Sequence, residues 1–340
     1  MLALQRPLYV KMQSVWVTSS LTNALIPTAV ALGNFDGIHL GHRQVIQPIL
    51  PPAGGLSQQR TYSTVVTFDP HPQEFFSGQT RCLLTPLPEK VMQLRQLGVD
   101  QLVLLPFDRE LAALSPEQFV EQILIQGLAV QRISVGQDFC FGYQRSGTAL
   151  DLQAIAAGYG IEVVIAPLQE SHGDRISSSA IRQALQVGDL SLANTLLGRS
   201  YLLIGEVIQG QQLGRTLGFP TANLKLPAEK FLPQSGVYAV RAQISPTASP
   251  SDLVFNPQQL GVMNLGYRPT VDGHRQIAEV HLLDWRGDLY YQSLIVSLEK
   301  FIRPELKFES LEALKAQIEA DCNVARTVFA TAPSDQANKE

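Results

Sequence analysis

Two stretches of this sequence concentrate residue types that handle phosphate. The first reads Gly33-Asn34-Phe35-Asp36-Gly37-Ile38-His39-Leu40-Gly41-His42. Glycines at 33 and 37 permit tight turns and close approach of a ligand to the backbone. A helix opening after them offers N–H groups to phosphate oxygens. His39 and His42, three apart, fall on one side of a helical start and can stabilise charge developing on an in-line phosphoryl centre. A lone histidine would read as structural or superficial; a pair after a glycine turn reads as functional. Asp36 either braces the turn or affects metal placement. Further along, Arg175-Ile176-Ser177-Ser178-Ser179-Ala180-Ile181-Arg182 offers hydroxyls that cap a helix or, at the carboxyl edge of a parallel sheet, face a ligand crevice. The fork of Arg182 suits terminal phosphates, with a surface salt bridge as its plain alternative.

The second stretch is Gly210-Gln211-Gln212-Leu213-Gly214-Arg215-Thr216-Leu217-Gly218-Phe219-Pro220-Thr221-Ala222-Asn223. Gly214 and Gly218 allow a backbone cradle, and Pro220 restricts the turn before Thr221. Thr221 and Asn223 can present a hydroxyl and an amide oxygen to one hard cation, or can bond their own backbone. A later apolar run carries Glu279 and His281 on one side of a strand, opposite Val280 and Leu282. If that side faces a pocket, Glu279 can accept a proton from a ligand hydroxyl. On a solvent-facing side both are ordinary surface groups, and spacing alone does not choose.

The elements that must hold these residues follow two grammars. Residues 28–33, 62–68, 101–106, 132–136 and 161–166 are nearly continuous apolar runs, as in strands covered by helices on both faces. Between them, 40–50, 89–97, 116–125 and 150–159 have helical patterns, and Ser115-Pro116-Glu117-Gln118 is a helix-start signal. The alternation implies a parallel α/β domain. Beyond about residue 189, alternating segments at 201–208, 237–244, 260–265, 277–283 and 289–298 are separated by Gly, Pro, Asp and Asn, implying an antiparallel barrel or sandwich. A helix over 311–329 has an apolar face to cover it, residues 181–197 read as a helical connection, and 245–256 as an inserted loop.

The bulk numbers narrow the partners. At 340 residues, two domains are expected, and 45% hydrophobic with 16% charged residues describes a folding chain. A formal charge of −4, with 26 basic and 30 acidic residues and no basic block, argues against nucleic acid as the main partner. Cys82, Cys140 and Cys322 form neither a zinc pattern nor a disulfide scaffold, so a reducing cytoplasm is the expected compartment. No apolar run approaches membrane-helix length, and residues 1–12 read as a short extension or a mis-assigned start, without a signal-peptide core. A weak or transient homo-oligomer, assembling through the two domains, is left open; the sequence supplies no interface patch for it.

These motifs carry a family resemblance. Residues 33–42 resemble the GxFDGxHxGH signature of nucleotidyltransferases, in particular the FMN adenylyltransferase domain of prokaryotic bifunctional riboflavin kinase/FAD synthetases. Residues 177–182 are similar to that family's ISSTxIR element, with Ser179 in the threonine place. The likeness continues through Thr67-Phe68-Asp69-Pro70-His71-Pro72, Leu105-Pro106-Phe107-Asp108 and Val135-Gly136-Gln137-Asp138-Phe139-Cys140-Phe141-Gly142, which would help form an FMN pocket, with Cys140 where arginine or another polar residue is common. Residues 214–223 resemble the riboflavin kinase signature GRxLGFPTAN. Residues 279–290 are similar to that family's EVHLLDFxGDLYG strand and turn, and Phe301-Ile302-Arg303-Pro304-Glu305 looks like its flavin-side loop. Met263 replaces a more usual small polar residue within 261–270, and Tyr291 replaces a common glycine.

The resemblance implies a Rossmann-like α/β nucleotidyltransferase domain over 15–187 and an antiparallel β-barrel riboflavin kinase domain with a terminal helix over 188–330. It implies ATP-dependent phosphorylation of riboflavin to FMN, then adenylylation of FMN to FAD with release of pyrophosphate. ATP, riboflavin and FMN are then substrates, FAD is the product, and Mg2+ is the metal. Glu279 becomes the base for the riboflavin 5′-hydroxyl, Thr221 and Asn223 the Mg-ATP ligands, and His39 and His42 the groups that stabilise adenylyl transfer. Gly33, Asn34, Phe35, Asp138, Ser177, Ser178, Ser179 and Arg182 fall to ligand binding in the first domain, and Gly214, Arg215, Gly218 and Arg303 in the second. A monofunctional riboflavin kinase would make FMN and no FAD. A noncatalytic flavin- or nucleotide-binding protein would keep the glycine loops without needing both the histidines and Glu279.

Overall fold

Continuous apolar strands must be covered on both faces and alternating strands on one, and the chain meets both demands. A computed structural model describes residues 14–51, 60–171, 174–210, 214, 217–245, 258–270 and 273–331. It divides into two compact units. The first takes its described residues from 1–35, 42–79 and 91–168.

In that unit six parallel strands are ordered β1-β4-β3-β2-β5-β8. They are β1 (Trp16–Thr18), β2 (Thr28–Leu32), β3 (Tyr62–Asp69), β4 (Gln101–Pro106), β5 (Val130–Gly136) and β8 (Glu162–Ala166), with a small hairpin of β6 (Cys140–Phe141) and β7 (Gly147–Thr148) between the last two. The chain steps outward from β2 through β3 to β4, then resumes on the other side of β2 with β5. The loops leaving β2 and β5 therefore start at the point where strand order reverses, where open α/β sheets bind ligands. β2 is buried along its whole length, so its Thr-Ala-Val-Ala-Leu run has no polar side. Val30, Leu32, Val66, Val103, Ile133 and Val135 pack in one core with Phe119, Leu124, Leu152 and Ala156.

The helices around this sheet are α1 (Leu40–Ile46), α2 (Pro72–Ser77), α3 (Leu87–Leu97), α4 (Arg109–Ala113), α5 (Pro116–Gln118) and α6 (Ala149–Ala157). α5 runs on into a π-helical stretch, Phe119–Gly127. Its start signal is realised: the Ser115 N–H donates to Gln118 Oε1 at 2.9 Å, and the Gln118 N–H donates to Ser115 Oγ at 3.2 Å.

The second unit takes its described residues from 36–41, 80–90 and 169–340. It holds the hairpin β9 (Glu170–Ser171) and β10 (Asp174–Arg175), helices α7 (Ser178–Gln186) and α8 (Leu190–Leu197), and a closed antiparallel barrel ordered β11-β12-β15-β14-β13-β16. The barrel strands are β11 (Tyr201–Ile208), β12 (Ala222–Lys225), β13 (Gly236–Ser245), β14 (Gln259–Thr270), β15 (Gly273–Leu282) and β16 (Ser293–Arg303). Leu203, Val240, Met263, Val280, Leu294 and Val296 belong to its buried core, so Met263 serves packing. The terminal helix α9 (Leu311–Thr331) buries Cys322 and Ala325 against Val237, Ala239 and Val262 on the other side of the strands. Burial pushes the Cys322 thiol up to about 11, which leaves it protonated and inert near neutrality. Tyr291 adopts the left-handed φ of 63°, the conformation that a glycine would take without steric cost. The inserted loop expected over 245–256 lies, beyond Ser245, outside the described residues.

One buried ion pair ties this unit together. Lys230 Nζ meets Glu89 Oε2 at 2.6 Å with both side chains almost fully buried, donates to the Leu84 carbonyl at 2.6 Å, and sits 4.2 Å over the Tyr201 ring. Burial pushes the Glu89 carboxyl up and the Lys230 ammonium down, while their attraction opposes both shifts. Removing one partner leaves an uncompensated buried charge, at a cost of about 3–5 kcal/mol. Lys230→Met should lose that much in urea unfolding, and Lys230→Met with Glu89→Leu should recover most of it. Equal losses in the single and double variants would contradict this account.

Candidate functional site

The candidate nucleotide-binding residues divide between the two units, and each group is held locally. In the first unit, the Gly33 N–H donates to the Val66 carbonyl at 3.2 Å and the Asn34 carbonyl accepts from Thr67 Oγ1 at 3.0 Å, so the start of the loop is tied to β3. Phe35 is buried with a left-handed φ of 46°, and its ring lies 5.3 Å from that of His42, the third residue of α1. A side chain at position 33 would press on the Phe35 ring at 3.2 Å. Asp138 is exposed in the turn after β5, where the Phe139 N–H donates to the Gly136 carbonyl at 3.0 Å.

In the second unit, the Asp36 carboxylate accepts from the Thr85 N–H at 3.1 Å and pairs closely with Arg182. Ser178 Oγ donates to the Asp36 carbonyl at 2.7 Å. Ser177 caps α7, accepting from the Ala180 N–H at 3.2 Å, so its capping role is realised, while Ser179 is exposed. Arg182 also donates to the Cys82 carbonyl at 3.1 Å and lies 5.6 Å over the Phe231 ring. It is therefore an internal ion-pair partner in this structure, which its sequence neighbours did not disclose. His39, just before α1, is 6% exposed.

The phosphoryl-transfer candidates come together more fully. Gly214, Thr221, Asn223, Glu279 and Arg303 all line one cavity of about 300 Å³ in the second unit. Glu279 on β15 is directly opposite Asn223 on β12 and Asn264 on β14, giving a polar row across three strands. Val280 points into the barrel core, so alternation turns Glu279 and His281 to the other side. That side would be solvent if nothing covered it. Leu306, Phe308, Leu314 and Ile318, from the segment after β16 and from α9, help line the cavity there.

The glycine loop is shaped for close contact. The Phe219 N–H donates to the Gly214 carbonyl at 2.8 Å, and a side chain at 214 would meet the Phe219 carbonyl at 2.4 Å. The His281 ring nitrogen Nδ1 lies 2.9 Å from the Pro220 carbonyl, bracing the loop on β15. A Cβ at Gly210 would fall 2.2 Å from the Asn223 amide, so the backbone leaves that amide its space. Arg303 makes a two-point ion pair with Asp321, with Nε–Oδ1 at 2.9 Å and the second contact at 2.7 Å. Arg215 lies outside the described residues. Sequence reasoning missed Asn264 and Asp321; only Asn264 had a signal, as the polar residue within the apolar run 260–265.

Comparison with known proteins matches both halves. A family model for FAD synthetase covers residues 22–180, and one for riboflavin kinase covers residues 197–329. A bifunctional riboflavin kinase/FMN adenylyltransferase of Haemophilus influenzae is 40% identical over 302 residues, covering 88% of this chain and 94% of that one. The protein of the same description from Escherichia coli K12 is 41% identical over 306 residues, covering 88% and 92%. The chain belongs to the bifunctional riboflavin kinase/FMN adenylyltransferase family. As a member, it carries both enzymatic domains of that family in order. A crystal structure described as a macrolide-efflux protein from Streptococcus pneumoniae is also similar, with a TM-score of 0.78, 29% identity, and coverage of 92% of this chain and 98% of that one. Among the described residues here, no helix is long and apolar enough to cross a membrane.

Proposed function

We propose that this chain phosphorylates riboflavin to FMN at the barrel cavity and adenylylates FMN to FAD at the loop after β2, consuming one ATP in each step. The observation that carries the kinase assignment is the row Asn223–Glu279–Asn264 beside a cavity of about 300 Å³ that Leu306, Phe308, Leu314 and Ile318 also line. A neutral alcohol must lose its proton as it attacks, which gives the carboxylate of Glu279 a defined task. The riboflavin 5′-oxygen bonds to the γ-phosphorus of ATP, the bond to the bridging oxygen breaks, and ADP leaves. Gly214, Arg215 and Gly218 cradle the phosphates, and Arg303 faces the flavin side.

Thr221 and Asn223 supply hard oxygen donors on one wall of the barrel cavity. Mg2+ bound there would neutralise the triphosphate. At the other site an FMN phosphate oxygen attacks the α-phosphorus of ATP and pyrophosphate leaves. That nucleophile is already ionised near neutrality, so His39 and His42 act by stabilising charge and need not remove a proton. Gly33, Asn34, Phe35 and Asp138 bind the ligands, with Ser177, Ser178, Ser179 and Arg182 on the phosphates. For the last of these, Arg182 must share its guanidinium between Asp36 and the nucleotide.

The cysteine pattern assigns the cytoplasm as the compartment, and weak or transient self-association stays open. The test is purified protein with riboflavin and Mg-ATP, following FMN, FAD, ADP and pyrophosphate separately. Both flavin products and both leaving groups are expected. FMN and ADP alone would reduce the assignment to a kinase, and flavin binding without turnover would make the chain a noncatalytic binder.

A further inference from the structure

The loop that carries His39 has an unusual backbone. Gly37 takes a φ of 95°, and Ile38, a fully buried β-branched residue, takes a φ of 41°. A β-branched side chain is a steric outlier in the left-handed region, so this conformation persists only if surrounding groups over-determine it. Several side chains do so here. The Gly37 N–H donates to Thr85 Oγ1 at 2.9 Å, and the Asp36 carboxylate is held by the Thr85 N–H and by Arg182. The carbonyls of the two left-handed residues are both taken by one side chain: Arg199 donates through Nη2 to the Gly37 oxygen at 2.6 Å and through Nη1 to the Ile38 oxygen at 3.1 Å.

A planar fork with fixed donors is suited to bridging two adjacent carbonyls, which a single ammonium cannot do equally well. The same Nη1 reaches the Leu197 carbonyl at 3.4 Å, so the guanidinium is anchored at the end of α8. Arg199 lies in the segment matched by the riboflavin kinase model, whereas the loop it grips lies in the segment matched by the FAD synthetase model. All of these residues pack in one unit.

We infer that Arg199 is a positioning residue for FMN adenylylation: by clamping the Gly37 and Ile38 carbonyls it fixes the backbone that presents His39, although it belongs by sequence to the kinase part of the chain. The inference rests on the adenylyl-transfer reading of His39. Arg199 grips the loop through its backbone carbonyls, so losing the clamp should misplace the imidazole and leave the substrates bound.

The experiment uses the full chain, with Arg199→Met and Arg199→Lys assayed beside the unaltered protein for each half-reaction. Arg199→Met should lower kcat for FAD formation from supplied FMN by about 10–100-fold, as expected for a small misplacement of a catalytic group, with KM for FMN and ATP changing much less. Arg199→Lys should fall between Met and the unaltered protein. Kinase turnover, which reports on the fold of the barrel, should stay unchanged in both. Unchanged adenylylation in Arg199→Met would overturn the inference. So would a parallel loss of kinase and adenylyl turnover in the Lys variant, which marks a plain structural role even if the Met variant does not fold. Failure of the unaltered protein to form FAD from FMN would instead overturn the reading beneath it.

Discussion

Glu279→Gln is expected to lower FMN formation from riboflavin by about 10²–10⁴-fold, while FAD formation from supplied FMN continues at the rate of the unaltered protein. The substitution keeps the shape of the side chain and its place opposite Asn223 and Asn264. It removes only the ability to take a proton. Because the alcohol is neutral in the ground state, the loss should fall on kcat, with riboflavin still bound. Val280, the next residue, packs in the barrel core, so a more disruptive change on this strand would confuse a chemical loss with an unfolded one. The measurement is kcat and KM for each half-reaction in one preparation. Equal loss of both reactions in a folded variant would contradict a separate kinase base.

His39→Ala is expected to produce the reverse separation: FAD formation from FMN should fall by about 10²–10³-fold, with riboflavin phosphorylation unaffected. His39 is 6% exposed, at the end of a loop held by Thr85, Ser178, Arg182 and Arg199. A donor held so firmly needs little reorganisation when charge develops beside it, which is the source of its value. His39→Asn keeps a donor with a shorter reach and should retain more activity than alanine. Adenylylation that survives His39→Ala unchanged would remove this residue from the mechanism.

Much of the frame was legible because burial imposes a simple pattern. β2 has no exposed side and reads as an uninterrupted apolar run; the barrel strands have two kinds of face and alternate. What escaped lacks such a pattern. β1 is a three-residue edge strand against β4, too short to show a period. β12 has four residues within the glycine-loop motif, where the polar signature masks it. Residues 181–197 read as one connection, yet Gly188 turns with φ of 77° and Asp189 caps a new helix, accepting from the Leu192 N–H at 2.9 Å. The last barrel strand begins at Ser293 rather than near 289, because the apolar Leu289-Tyr290-Tyr291 run is a turn with its left-handed residue at 291.

The candidate sites show the same limit. Which residues share the side of β15 with Glu279 follows from alternation, but what covers that side is supplied by residues 303–321, far along the chain. Likewise, Arg182 and Arg199 reach Asp36, Gly37 and Ile38 across more than 140 residues, a pairing that no local pattern encodes. Motif spelling named the candidates; packing shows which of them line the barrel cavity and which are engaged in internal ion pairs.

The most direct test of two separate sites is complementation between inactive halves. Glu279→Gln and His39→Ala proteins would each be given riboflavin and Mg-ATP alone, then mixed at equal concentration. Neither should make appreciable FAD by itself, and the mixture should accumulate FMN and then FAD, because FMN released by one protein serves the other. A mixture that makes no FAD, although each variant retains its expected single activity when supplied with the proper flavin, would contradict free transfer between independent sites; loss of both activities in either variant would contradict the separation itself.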